Sequence, residues 1–203
     1  MGEDESKHRV PWIDLVRYAV AGVVTVLTIA VIAGAIILSL RPELLQLRVA
    51  NGYVTVLKIK SMSQPVNVSI YLVVKAINPA GRAAIRYHNA TVHFLYNKSQ
   101  ESEITYFDVS PGLLSVAPQI ERDANLWSGN LKAPEDVPME FAWKMFKEQE
   151  IKNATVIFKG ILKTQISALN YTRGSYTKYS CFPVTIGTSP PQIGADDVPC
   201  IVG

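Results

Sequence analysis

The chain has 203 residues, 48% of them hydrophobic and 18% charged, with a formal net charge of +3. Apolar content this high with charge this sparse excludes a disordered hydrophilic protein, and +3 over this length offers no basic footprint for nucleic acid. Two cysteines are too few for a disulfide-dense scaffold or a four-cysteine zinc site.

Residues 1–17 form a short polar tail in which Lys7, Arg9 and Arg17 face Glu3, Asp4, Glu5 and Asp14. From Tyr18 to Leu40 the chain is uncharged for 23 residues, bracketed by Arg17 and Arg41. About 20 apolar residues cross a bilayer core as a helix, whereas a core helix keeps a polar face. Segment 18–40 is therefore expected to span a membrane. Ala33-Gly34-Ala35 has the small-residue look of a cleavage site, but Ile36, Ile37 and Leu38 carry the apolar run past it. An uncleaved signal anchor fits better than a signal peptide, whose apolar stretch is roughly 7–15 residues. Ala30 and Gly34 form a small-xxx-small pair that allows a second helix to approach, and so a homo-oligomer through the span.

Basic residues flank the span on both sides, so charge leaves its orientation open. The sequons orient it. Five of nine asparagines open Asn-x-Ser/Thr without an intervening proline: Asn67, Asn89, Asn97, Asn153 and Asn170. All lie beyond the span, which points to a cytosolic N-terminus and a lumenal or extracellular remainder.

That remainder reads as strands. In 66–77, Val66, Val68, Ile70, Leu72, Val74 and Ala76 take one face; Asn67, Ser69, Tyr71 and Lys75 take the other. Asn78-Pro79-Ala80-Gly81 follows as a turn. Around 85–96, Ala90, Val92, Phe94 and Tyr96 oppose Asn89, Thr91 and His93. Near 153–166, Ala154, Val156, Phe158, Gly160 and Leu162 point inward, with Asn153, Thr155, Lys159 and Lys163 outward. Weaker strands are expected near 53–60, 103–109 and 175–186. Segment 137–148 instead repeats apolar residues every four, at Val137, Phe141 and Met145, and predicts a short amphipathic helix. The expected fold is all-β: a seven-stranded sandwich of the immunoglobulin or fibronectin III kind over 41–187, with an irregular tail over 188–203.

Cys181 and Cys200 both fall in the outer region, where oxidising surroundings favour a disulfide between them. Catalytic equipment is not expected. His88 and His93, five apart on one strand, would face opposite ways and make a poor metal pair. Glu101 with Glu103, and Asp196 with Asp197, read as solvated loop charge. There is no Gly-x-Ser-x-Gly, phosphate loop or His-Glu-x-x-His sequence, and no cofactor is implied.

The stretch from Val73 to Tyr96, VVKAINPAGRAAIRYHNATVHFLY, carries an extended strand, Asn78-Pro79, small and basic residues, Ile85, Tyr87 and a closing Leu95-Tyr96. This order resembles the plant late-embryogenesis-abundant group 2 family (LEA-2), in particular its harpin-induced-like and non-race-specific disease-resistance branch. Ala80 stands where that family has a second asparagine, and Val109-Ser110-Pro111-Gly112 where it has Pro-Pro-Phe. The resemblance implies a single-pass, non-enzymatic protein of the plasma membrane, with the plasmodesma as a second site, acting in plant defence or abiotic stress. It also implies an extracellular protein or cell-wall partner. A tethered lipid-binding or lipid-transfer domain is the alternative, since a sandwich interior or open edge can house an acyl chain.

Overall fold

The computed structural model describes residues 12–39, 44–63, 65–81, 83–97, 103–166, 171–189 and 195–203. The chain divides into two units, Met1–Arg41 and Pro42–Gly203.

The first unit contains one helix, α1 (Trp12–Ser39), and Leu15–Ala35 within it, of mean hydropathy 2.2, is long and apolar enough to cross a membrane. Thr25 and Thr28 donate their hydroxyls to the carbonyls of Ala21 and Val24, each at 2.8 Å. Hydrocarbon offers a hydroxyl no water, so this return bond lets threonine sit in such a segment. Of the expected span, Leu40 lies outside the described residues.

The second unit is mostly β. Its strands are β1 (Gln46–Val56), β2 (Val66–Val68), β3 (Ile70–Ile77), β4 (Ala84–Leu95), β5 (Glu103–Asp108), β6 (Ser115–Val116), β7 (Glu121–Trp127), β8 (Leu131–Ala133), β9 (Ile151–Ile166), β10 (Tyr171–Gly187) and β11 (Val198–Val202). One helix, α2 (Met139–Phe146), joins β8 to β9. Nine strands form a curled, mainly antiparallel sheet in the order β5-β4-β9-β10-β11-β1-β3-β7, with β6 beside β4; β2 and β8 pair separately. Eleven strands among the described residues replace the expected seven, because short β6, β8 and β11 carry too few residues to show a period.

The expected inward faces are the ones that pack. Val66, Val68, Ile70, Leu72, Val74 and Ala76 are buried, as are Ala90, Val92 and Phe94 on β4 and Ala154, Val156, Phe158 and Leu162 on β9. Helix α2 closes onto this interior with Phe141, Ala142 and Met145. Two residues expected to face water are buried instead. Ser69 sits where the chain passes from β2 to β3, and its hydroxyl donates to Asn130 Oδ1 at 3.1 Å. Thr155 is covered on its strand opposite Leu95, itself buried. The first strand also begins earlier than expected, at Gln46 rather than residue 53, because Leu45, Leu47 and Val49 alternate into the core.

One junction joins the two halves of the sheet. β1 and β10 run parallel where Tyr53–Thr55 faces Thr185–Gly187. Further along they part, and β11 fills the gap: Val198 and Pro199 pair with β1, and Cys200–Val202 with Tyr179–Cys181 of β10. The tail 188–203 is thus not irregular throughout. Diverging strands leave backbone donors and acceptors that a third strand satisfies. Three local devices hold β11 there. Cys181 and Cys200, directly opposed, form a disulfide. Asp197 accepts the backbone N–H of Asn51 at 3.0 Å and pairs with Lys75 Nζ at 2.8 Å. Asn51 and Gly52 take positive φ (53° and 55°) at the register break in β1, and Val198 packs so closely on Gly52 that a Cβ there would lie 2.8 Å from it.

Two outcomes are expected from this junction. Closing a loop of 19 residues removes about 3 kcal/mol of unfolded-state entropy. Replacing both cysteines by serine should therefore lower unfolding free energy by about 3 kcal/mol in urea titration of the full chain in micelles. The second outcome concerns acid. The hydrogen bond from Lys75 holds the Asp197 carboxyl below its ordinary range. A depressed carboxylate contributes stability that is present above its unfolded pKa and lost as pH falls through the folded value. Asp197→Asn should melt below wild type at pH 7, and the gap should close as pH drops below about 4.

Candidate functional site

The described sequon asparagines, Asn67 on β2, Asn89 on β4, Asn97 after β4 and Asn153 on β9, are all exposed. Asn170 lies outside the described residues. The partner hydroxyls differ: Ser69 and Thr155 are buried, and the Thr155 hydroxyl has no hydrogen-bond partner among the described residues. Asn89 and Asn153 have positive φ (48° and 60°), a left-handed conformation that asparagine tolerates better than most residues. At these two positions the backbone supplies its own reason for asparagine.

The bulge at Asn89 also corrects the histidine reading. The register of β4 against β9 shifts between His88 and Thr91, so one extra residue intervenes. His88 and His93 consequently share the outer face, opposite Ile161 and Ile157. Their partners are four positions apart on β9, which keeps them about 13 Å apart, too far to bind one metal ion. His93 is engaged locally: Nδ1 lies 2.6 Å from Glu103 Oε1, Nε2 lies 3.2 Å from the Thr91 hydroxyl, and its ring stacks on Tyr106. No group of three His, Cys, Asp or Glu suited to a metal occurs among the described residues. Gly160 sits against the bulge, where an added Cβ would come within 3.0 Å of Ala90 Cα and of the His88 carbonyl oxygen.

The turn motif that carries the family resemblance is a lock inside the fold. Asn78 is buried; Nδ2 donates to the carbonyls of Ala83 (2.8 Å), Ala117 (3.0 Å) and Val116 (3.1 Å). Its Oδ1 accepts the Ala80 N–H at 3.0 Å, and its own N–H donates to Ile120. One side chain thus ties the β3–β4 turn to the segment between β6 and β7. Pro79, exposed, fixes the turn that aims it. The other motif residues are structural as well. Ile85 is buried; Tyr87 donates its hydroxyl to the Thr177 carbonyl at 2.6 Å and meets Tyr179 edge-on. Burial pushes both phenols well above their ordinary range. Leu95 is buried, and Tyr96 lies under the Lys144 ammonium.

The described interior is filled by Phe94, Phe141, Phe158, Tyr179 and Met145, all fully buried. Two open grooves accompany it. One, of about 570 Å³, is lined by Leu44, Leu45, Gln46, Pro79, Tyr179, Cys200 and Val202. The other, of about 330 Å³, surrounds the Asn51–Tyr53 bulge with Glu150, Lys152, Thr185 and Ala195.

No protein-family model matches this chain, and no curated protein sequence matches it.

Removing the Asn78 side chain would strand the buried carbonyls of Ala83 and Val116, the part-buried one of Ala117 and the Ala80 N–H at once. Asn78→Ala is expected to cost about 3 kcal/mol, read by urea unfolding of the full chain, with Pro79→Ala costing far less.

Proposed function

We propose that this protein is a single-pass, membrane-anchored, N-glycosylated interaction module whose β domain lies outside the cytosol. The observation that carries the reading is the coincidence of one membrane-length apolar helix with sequon asparagines that are exposed wherever they are described. The Cys181–Cys200 disulfide fits an oxidising compartment. On this reading β5-β4-β9-β10 and β1-β3-β7 act as the two leaves of a sandwich-like body, and recognition falls to its outer surface. The resemblance to the LEA-2 family extends the proposal to a non-enzymatic role in plant defence or abiotic stress at the plasma membrane, through an extracellular protein or the cell wall. The large side chains buried in the described interior, Phe94, Phe141, Phe158, Tyr179 and Met145, occupy space that the lipid-carrying alternative would need for an acyl chain.

Ser69 and Thr155 are buried in the folded domain, so glycan transfer at Asn67 and Asn153 precedes or accompanies folding. Endoglycosidase digestion of membrane-extracted protein is expected to shift its mobility, and protease added to sealed right-side-out vesicles to degrade the β domain. Absence of a shift together with a protected domain would reverse the topology. Sequon variants at 89 and 153 should be Asn→Gly, since other residues strain the positive φ there.

A further inference from the structure

The outer face of β4-β9-β10 carries a charge pattern that folding alone opposes. Arg86 on β4 lies directly opposite Lys163 on β9, and Lys159 on β9 directly opposite Lys178 on β10. Like charges in opposed cross-strand positions destabilise a sheet. No described carboxylate forms an ion pair with any of the four, whereas Lys58, Lys75 and Lys144 each have one. The residues between them on each strand, Tyr87, Phe158, Gly160, Leu162, Thr177 and Tyr179, point inward and are buried, so the four cations share one side. His88 and Tyr176 stand opposite Ile161 in the row between the two cation pairs, and Tyr176 is 70% exposed. On the adjoining edge strand Tyr106 is 61% exposed. Gly174 faces Lys163, and the Lys163 side chain lies over it, its Cγ 3.8 Å from where a Cβ would be.

We propose that this face binds an acidic polysaccharide, a chain of sugar rings bearing carboxylates. Two cation pairs four residues apart along β9 are spaced about 13 Å, which suits a partner with repeated negative charge rather than one anion. Exposed tyrosine rings among the cations suit flat sugar faces. A membrane surface fits less well, because the aliphatic residues among the cations, Ile157 and Ile161, are buried or half-buried, and Ile201 at the β11 border is a lone exposed aliphatic with little to insert. The proposal rests on the outward orientation argued above, since the cytosol offers no such polymer.

Its test uses the full glycosylated chain in zwitterionic nanodiscs on immobilised polygalacturonate, with neutral dextran as the blank. Wild type should be retained and released by salt, with no retention on dextran. Lys159→Gln/Lys178→Gln should weaken binding about fivefold. It should melt no lower than wild type, because it relieves a repulsive pair. Lys58→Gln/Lys60→Gln, which removes equal charge elsewhere, should bind like wild type. Equal binding by wild type and the ladder variant would overturn the proposal, as would an equal loss in the control pair. Loss confined to phosphatidylserine vesicles, with polygalacturonate binding intact, would overturn it in favour of a lipid surface. Binding to the column does not depend on orientation, so a cytosolic domain in protease protection would sink the topology while leaving the chemistry of this face measurable.

Discussion

The sheet depends on how β1 and β10 are joined. Their direct parallel contact spans three residue pairs, and beyond it the two strands diverge. Without β11 the backbone edges there would face water or each other unpaired. β11 is short and pairs with β1 through only two residues, so it has little intrinsic hold. A disulfide to β10, a carboxylate reaching Asn51 and Lys75, and the close packing of Val198 on Gly52 supply it. The curl of the sheet, and with it the interior that α2 closes, rests on that wedge.

Once the interior is packed, recognition chemistry belongs outside. The fully buried residues are almost all apolar, and Asn78, the buried amide of the β3–β4 turn, spends its hydrogen bonds on backbone carbonyls and an N–H. Four cations without an ion-pair partner among the described residues lie on the outer face of the sheet instead, where Arg86, Lys159, Lys163 and Lys178 stand against one another without carboxylates between them.

Much of the fold is legible in the sequence because strands with one buried face advertise it with period two. β3 and β9 do so over eight or more residues, and β4 does so on either side of its bulge. β7 does not: on this edge strand only Ala124 and Leu126 are buried, among charged neighbours. β11 follows a proline-rich stretch and takes its order from β1 and β10, not from its own pattern. Bulges are the other blind spot. Counting residues puts His88 and His93 on opposite faces, but the left-handed Asn89 adds one residue and unites them. The same conformation tempers the sequon count, since Asn89 and Asn153 have a backbone reason to be asparagine. Ser69 and Thr155 were legible as outward by alternation, yet neighbouring elements cover them. The cationic ladder needed cross-strand register, which no single strand contains.

The disulfide that holds β11 and the proposed placement of the β domain outside the cytosol both call for an oxidising compartment. Mass spectrometry of the non-reduced, protease-digested chain, isolated from membranes in the presence of an alkylating agent, reads both in one experiment. The expected result is a linked peptide pair containing Cys181 and Cys200 together with glycan mass on sequon peptides. Alkylated free cysteines together with unmodified asparagines throughout would contradict it.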